Sequence, residues 1–133
     1  YLIMMDIDDF KKVNDTYGHD IGDLVLKELS KMLLNIAKKR KIDVGRWGGE
    51  EFMATVYFDS KDTKDSKEKV LGIAEEIRKS FEEIEFIEVG HKTVSVGVSC
   101  DKDSLNPDAV CTKADQALYK AKQTGKNKVV YMD

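Results

Sequence analysis

Two consecutive glycines, Gly48 and Gly49, separate two strand-like segments, residues 42–47 and 51–58. A Gly-Gly pair between such runs turns the chain back on itself, so the middle of the sequence is expected to be a β-hairpin. The residues that follow the glycines, Glu50 and Glu51, are both acidic. Packing does not ask for adjacent carboxylates at a tight bend. Glycine lets a ligand approach the backbone, and carboxylate oxygens suit a hard cation such as Mg²⁺.

The rest of the chain supplies partners for that hairpin. Residues 1–7 form an apolar run ending in acid, the pattern of a central strand covered on both faces. The polar stretch 10–18, with Asn14, Asp15 and Gly18, reads as a short helix or a loop. Ile21, Val25, Leu29, Met32, Leu33 and Ile36 then recur at helical spacing. The helix closes on Lys38-Lys39-Arg40-Lys41, charges that favour its C-terminal end. Residues 59–66 read as a surface loop, and Asp65 with Glu68 has capping-box spacing. Val70, Ile73, Ala74, Ile77, Phe81 and Ile84 form the stripe of a further helix, and 85–89 reads as a strand. Val94, Val96 and Val98 alternate with Ser95, Gly97 and Ser99, the signature of a half-buried strand. Asn106-Pro107 opens a last helix, which turns Val110, Ala114, Ala117, Leu118 and Ala121 inward and stops at Gly125. Residues 129–131 make a final strand. Helices alternating with strands around a hairpin imply an α+β fold, a palm-like or ferredoxin-like sheet with flanking helices. At 133 residues, one domain over 1–133 is expected.

Charge and composition narrow the function. A net charge of −3 argues against a nucleic-acid binder, which would carry a basic face. No apolar run approaches the roughly 20 residues of a membrane span, and no signal-peptide pattern is present. Cys100 and Cys111 lack redox or zinc spacing, as expected of idle thiols in a reducing cytoplasm. The strand at residue 1 has no lead-in, so the sequence is expected to be part of something longer. It would be cytoplasmic, free or as the inner part of a membrane-anchored protein.

Asp6-Ile7-Asp8-Asp9 stands where the first strand ends. Asp6 and Asp8 alternate with Ile7 and so face the same way in an extended chain. Such a cluster either binds a divalent cation or serves as turn and helix-capping chemistry. If the first strand neighbours the hairpin, Asp6 and Glu50 converge on a site that suits Mg²⁺ and phosphate oxygens. Zinc does not compete, because His19 and His91 lack ligand spacing. Lys11, near an expected helix start, could assist anion binding. Lys122 and Lys126, four apart, would share a face at the end of the last helix. Each lysine taken alone reads first as a solvated surface charge. Asn14 and Asp23 could read the donor edge of guanine, or serve as a turn residue and a helix-dipole partner.

Taken in order, Asp6-Ile7-Asp8-Asp9-Phe10-Lys11, Asn14-Asp15, Gly18-His19, Gly22-Asp23 and Arg46-Trp47-Gly48-Gly49-Glu50-Glu51-Phe52 resemble the GGDEF domain of bacterial diguanylate cyclases. Ala114-Asp115, Leu118-Tyr119, Ala121-Lys122 and Gly125-Lys126-Asn127 are similar to its C-terminal block. The resemblance implies a palm-like fold akin to class III nucleotide cyclases, and condensation of two GTP into cyclic di-GMP across a dimer of domains. It implies metal ligation, by Mg²⁺ or Mn²⁺, at Asp6, Glu50 and the Ile7 carbonyl, with Glu51 supporting the metal or the deprotonation. It implies guanine reading by Asn14 and Asp23. Phosphate contacts would come from Phe10, Lys11, Lys122 and Lys126, and Gly48 and Gly49 would give the nucleotide room. An upstream sensor or receiver module is a further expectation. The other reading is a module that binds GTP or cyclic di-GMP without turnover.

Three departures stand out. The family's helical segment before the first strand is absent. Lys126 stands where Arg is usual, which keeps the charge and loses the bidentate fork. Arg40 and Asp43 match an Arg-x-x-Asp inhibitory motif, yet sit one residue too close to the glycines. Either a shortened bend preserves that site or the match is chance in a basic stretch.

Overall fold

The computed structural model describes residues 1–58, 63–101 and 106–133. Among the described residues nine elements run β1 (Leu2–Ile7), α1 (Phe10–Tyr17), α2 (His19–Arg40), β2 (Asp43–Gly48), β3 (Glu51–Thr55), α3 (Thr63–Glu82), β4 (Val94–Ser99), α4 (Pro107–Gln123) and β5 (Val129–Met132). The five strands form one mixed sheet in the order β2-β3-β1-β4-β5. β1 pairs antiparallel with both β3 and β4, and β5 alone runs parallel to its neighbour. This is the α+β, palm-like layout expected from the sequence.

The apolar run at the start of the chain lies at the sheet's centre. Ile3, Met5 and Ile7 point to one face, where Val25, Leu29 and Leu33 of α2 and Val70, Ala74, Ile77 and Phe81 of α3 complete a buried core. Leu2 and Met4 point to the other face and meet Ala114 and Leu118 of α4. Each large side chain so buried contributes about 1.5–3 kcal/mol of transfer free energy. β4 departs from the half-buried expectation: all six of its residues are buried. Its small residues let α4 press against the sheet backbone. A Cβ on Gly97 would stand 2.3 Å from the Ala114 carbonyl oxygen and 2.4 Å from the Leu118 nitrogen. Glycine here admits a helix, which alternation alone did not reveal.

Other boundaries shift for local reasons. Residues 85–89 form a tight reversal closed by a single Phe86–Gly90 bridge, not a strand, because Gly90 adopts a φ of +70°. Of the expected loop at 59–66, residues 59–62 lie outside the described residues and 63–66 already belong to α3. Asp65 therefore sits in the first turn of α3, paired with Lys69 at 2.9 Å, and is not its cap. The start of α4 is as expected: the Asn106 side chain accepts from the Asp108 N–H at 3.1 Å and Pro107 occupies the first turn.

Candidate active site

The hairpin and the end of β1 meet at one edge of the sheet. β2 and β3 pair up to Gly48–Glu51, leaving Gly49 and Glu50 as a two-residue loop. Gly49 has a φ of +52° and Glu50 does not share a positive φ, which fits the glycine-first hairpin turn. The Arg46 guanidinium folds over the bend and donates to the Gly49 carbonyl, from Nε at 2.8 Å and also from Nη2. A register shift between Arg46 and Gly48 leaves Trp47 in a bulge, exposed.

Asp6 is the cross-strand partner of Glu51. Paired residues project to the same face, so the two like charges stand side by side. Burial is the main cause that pushes the Asp6 carboxyl up to about 6; Lys122 opposes it, and the charges of Glu50 and then Glu51 add to it. Both hairpin carboxylates therefore act on Asp6. Asp6 Oδ1 is buried without a hydrogen-bond partner among the described residues, while Oδ2 faces the Lys122 ammonium at 3.4 Å. A buried, unbonded carboxylate oxygen costs about 1–3 kcal/mol or more. A divalent cation would satisfy it, so the residues present fit Mg²⁺. Among the described residues no three acidic, cysteine or histidine side chains form a complete cage. That matches an ion that takes one or two carboxylates and completes its shell with water and phosphate.

Asp8 does share the direction of Asp6, since Lys122 also lies 3.6 Å from its Oδ1. Its environment is otherwise. Thr93 Oγ1 and Ser95 Oγ donate to it at 2.7 and 2.6 Å, and the Asn127 N–H at 3.1 Å. Asp8 is thus a buried, bonded brace. Asp9, at the start of α1, accepts from Lys126 Nζ at 2.7 Å, which holds its carboxyl below the usual range. Asp9 occupies the N-cap position of α1, but its side chain makes no cap bond there.

Lys122 and Lys126 reach the same acid cluster by different routes. Lys122 lies in the last turn of α4. Lys126 is not on the helix, which ends at Gln123. It sits in the turn beyond, at φ 63° and next to Asn127 at φ 47°. Two successive left-handed residues cost roughly 1–2 kcal/mol each, so the turn must be held by other contacts.

On the far side of β1, α1 and α2 pack at a corner. Phe10 is buried, so its ring belongs to the core and only its backbone can meet a ligand. The amides of Phe10 and Lys11 open α1 and have no intrahelical acceptor. Lys11 is exposed. A Cβ on Gly22 would stand 1.9 Å from Asn14 Oδ1, so Asn14 lies directly against the turn of α2 that carries the exposed Asp23. Arg40 and Asp43 flank the α2–β2 connection. Arg40 is engaged: its Nη2 pairs with Glu76 Oε2 at 2.8 Å and Nε with Oε1 at 3.2 Å. With Lys39, that pairing lowers the Glu76 carboxyl to about 2.

The residues around Asp8, Thr93, Ser95, Arg78 and Asn127, carried no signal as a group in the sequence.

Comparison with known proteins places this geometry. The family model "Diguanylate cyclase, GGDEF domain" matches residues 1–128. Diguanylate cyclase A of Treponema denticola is 39% identical over 132 residues, covering 96% of this chain and 34% of that protein. The response regulator PleD of Caulobacter vibrioides is 40% identical over 135 residues, covering 96% and 28%. The chain thus spans about a third of the length of such curated relatives. Among solved structures, the active GGEEF domain of a diguanylate cyclase from Vibrio cholerae superposes with a TM-score of 0.85 at 35% identity, over 99% of this chain and 81% of that one. The GGDEF domain of DgcB from Caulobacter crescentus, in complex with c-di-GMP, gives 0.86 at 31%, over 98% and 75%.

Proposed function

Because the chain belongs to the diguanylate cyclase GGDEF domain family, we propose that it is the catalytic domain of a diguanylate cyclase, one that joins two GTP into cyclic di-GMP and releases two pyrophosphates. The observation that carries this reading is the buried, unbonded Asp6 Oδ1, set against Glu50 and Glu51.

Asp6, Glu50 and the Ile7 carbonyl would hold Mg²⁺, or Mn²⁺, which when bound neutralises phosphate charge and acidifies the 3′-hydroxyl. The protein residues do the positioning. The free amides of Phe10 and Lys11 face the outer phosphates as anion donors. Lys122 and Lys126 add charge beside them. Asn14 presents a donor and an acceptor, and Asp23 two acceptors, to the guanine edge. Gly48 and Gly49 keep the hairpin free of side chains where the nucleotide lies. Glu51, on the same face as Asp6, supports the metal ligands or takes the hydroxyl proton. One domain holds one GTP, so the 3′-hydroxyl that attacks the α-phosphorus comes from the nucleotide on a second, facing copy. Holding the two in line is the larger part of the catalysis.

A sensory or receiver module elsewhere in the whole protein fits a chain that spans about a third of its relatives. Among the described residues no helix is long and apolar enough to cross a membrane. Arg40 would have to leave Glu76 before holding a product phosphate, which weighs against a strong inhibitory site. The test is incubation with GTP and Mg²⁺, with the domain free and fused to a dimerising coiled coil. Cyclic di-GMP is expected from the fused form and to vanish in Glu50→Ala, which stays folded. Binding of GTP without product in the fused form would sink the reading.

A further inference from the structure

The turn after α4 is tied back to the helix by the Lys126 N–H, which donates to the Ala121 carbonyl at 2.9 Å, and one side chain ties it to α3. Lys126 and Asn127 both adopt left-handed backbone although neither is glycine. The Asn127 side-chain amide is clamped on both ends by α3. Its Oδ1 accepts from Arg78 Nη1 at 2.9 Å, and its Nδ2 donates to the Glu82 carboxylate. Arg78 is steadied in turn by Glu75 at 2.9 Å and by Glu82 at 3.6 Å. A donor and an acceptor on one short arm are what this clamp needs, and asparagine provides both while tolerating the left-handed region. The main chain of the same residue points the other way: its N–H donates to Asp8. The preceding residue sends its ammonium to Asp9, and the following carbonyl, of Lys128, accepts from Val96 N at 2.9 Å in the sheet.

We propose that Asn127 is a positioning residue, which through its clamp by Arg78 and Glu82 fixes both the lysine at 126 and the acid-bearing exit of β1. The proposal rests on the reading above, that this edge of the sheet binds GTP. Lys126 stands on the turn between its own N–H bond to the Ala121 carbonyl and the clamped Asn127, so its direction is set by backbone that Asn127 holds from the far end. Asp8 lies one residue past Ile7 and two past Asp6, so the bond it accepts from Asn127 bears on both.

Two variants separate positioning from mere stability. Asn127→Gly keeps the left-handed backbone and the N–H to Asp8 but removes the clamp. Arg78→Ala removes it from the opposite side and leaves asparagine in place. Both are expected to stay folded and to lose about tenfold in GTP affinity with Mg²⁺ present, the scale of outer-shell partners. The double variant is expected to lose no more than either alone. A fall in melting temperature with unchanged GTP affinity, measured well below melting, would overturn the proposal. Hydrogen exchange tests the clamp without nucleotide. The Asn127 N–H is expected to exchange at least about tenfold faster in Arg78→Ala, and a wild-type rate there would overturn the proposal on its own. Absence of GTP binding by the wild-type domain would count against the functional reading instead, and the exchange rate would still decide the clamp.

Discussion

Asp6 and Asp8 stand two residues apart on one strand, face the same lysine, and live in opposite chemical circumstances. On the β4–β5 side, Asp8 is enclosed by two hydroxyls and a backbone N–H. On the hairpin side, Asp6 has one oxygen without a partner and two further carboxylates nearby. The same residue type serves as a brace in one place and as an unsatisfied charge in the other. The difference lies in what the neighbouring strand offers. β4 presents Ser95 opposite Asp6's position in register and Thr93 just beyond it, donors that reach back to Asp8. β3 presents Glu51, which has nothing to donate. A carboxylate oxygen that the fold leaves without a donor is available to a cation.

Substitutions can break this contrast, and the largest effect is expected at the unsatisfied acid. Asp6→Asn should lower cyclic di-GMP production by at least about a hundredfold, the scale of losing an electrostatic partner of the transition state. The same change should stabilise the metal-free domain, by on the order of 1–2 kcal/mol at pH 8 in denaturant melts. The sign follows from its pKa, near 6 when folded against 3.8 as the model value. Between those values the folded state takes up a proton that the unfolded chain does not. Stability therefore falls as pH rises through that window, and the deficit is complete above about 6. The variant should flatten this part of the profile; an unaltered profile would show that Asp6 is not strained.

Asp8→Asn should do the reverse. Loss of hydrogen bonds to a buried charge should destabilise by roughly 2–3 kcal/mol, seen as a lower denaturation midpoint, and production should fall less than in Asp6→Asn. Equal losses of activity in the two would erase the distinction between brace and ligand. The smallest effect is expected at Gly22→Ala. The severe clash there is with the tip of Asn14, a side chain that can rotate away; the Phe10 ring, with Cζ at 3.2 Å, need give only a few tenths of an ångström, and alanine favours the helix. The melting point should barely move, while the KM for GTP rises by about tenfold as Asn14 leaves the guanine edge. A normal KM would remove Asn14 from base recognition.

Much of the site was legible before any coordinates. The glycine pair announces a hairpin because Gly49 takes the positive φ that the first turn position needs, and the alternation of Asp6 with Ile7 fixes which way the first acid points. The helix starting at Asn106-Pro107 follows from local chemistry alone. What stayed hidden depends on contacts far apart in sequence. Asp8 reads like Asp6 until Thr93, Ser95 and Asn127, at least 85 positions away, close around it. Lys126 reads as helical because a spacing of four cannot show that the helix has already stopped at Gln123. Val94, Val96 and Val98 suggest one buried face; only the proximity of α4 to Gly97 reveals the other.

The guanidinium of Arg46 lies across the hairpin tip and grips the carbonyl of Gly49 from within the same hairpin. A bend braced in this way keeps its outline in a lone molecule. If two copies pair as proposed, each would offer an edge already finished, and little ordering entropy would be lost on contact. The frequency of well-aimed collisions, and not any reshaping of the loops, would then govern how quickly the paired state forms.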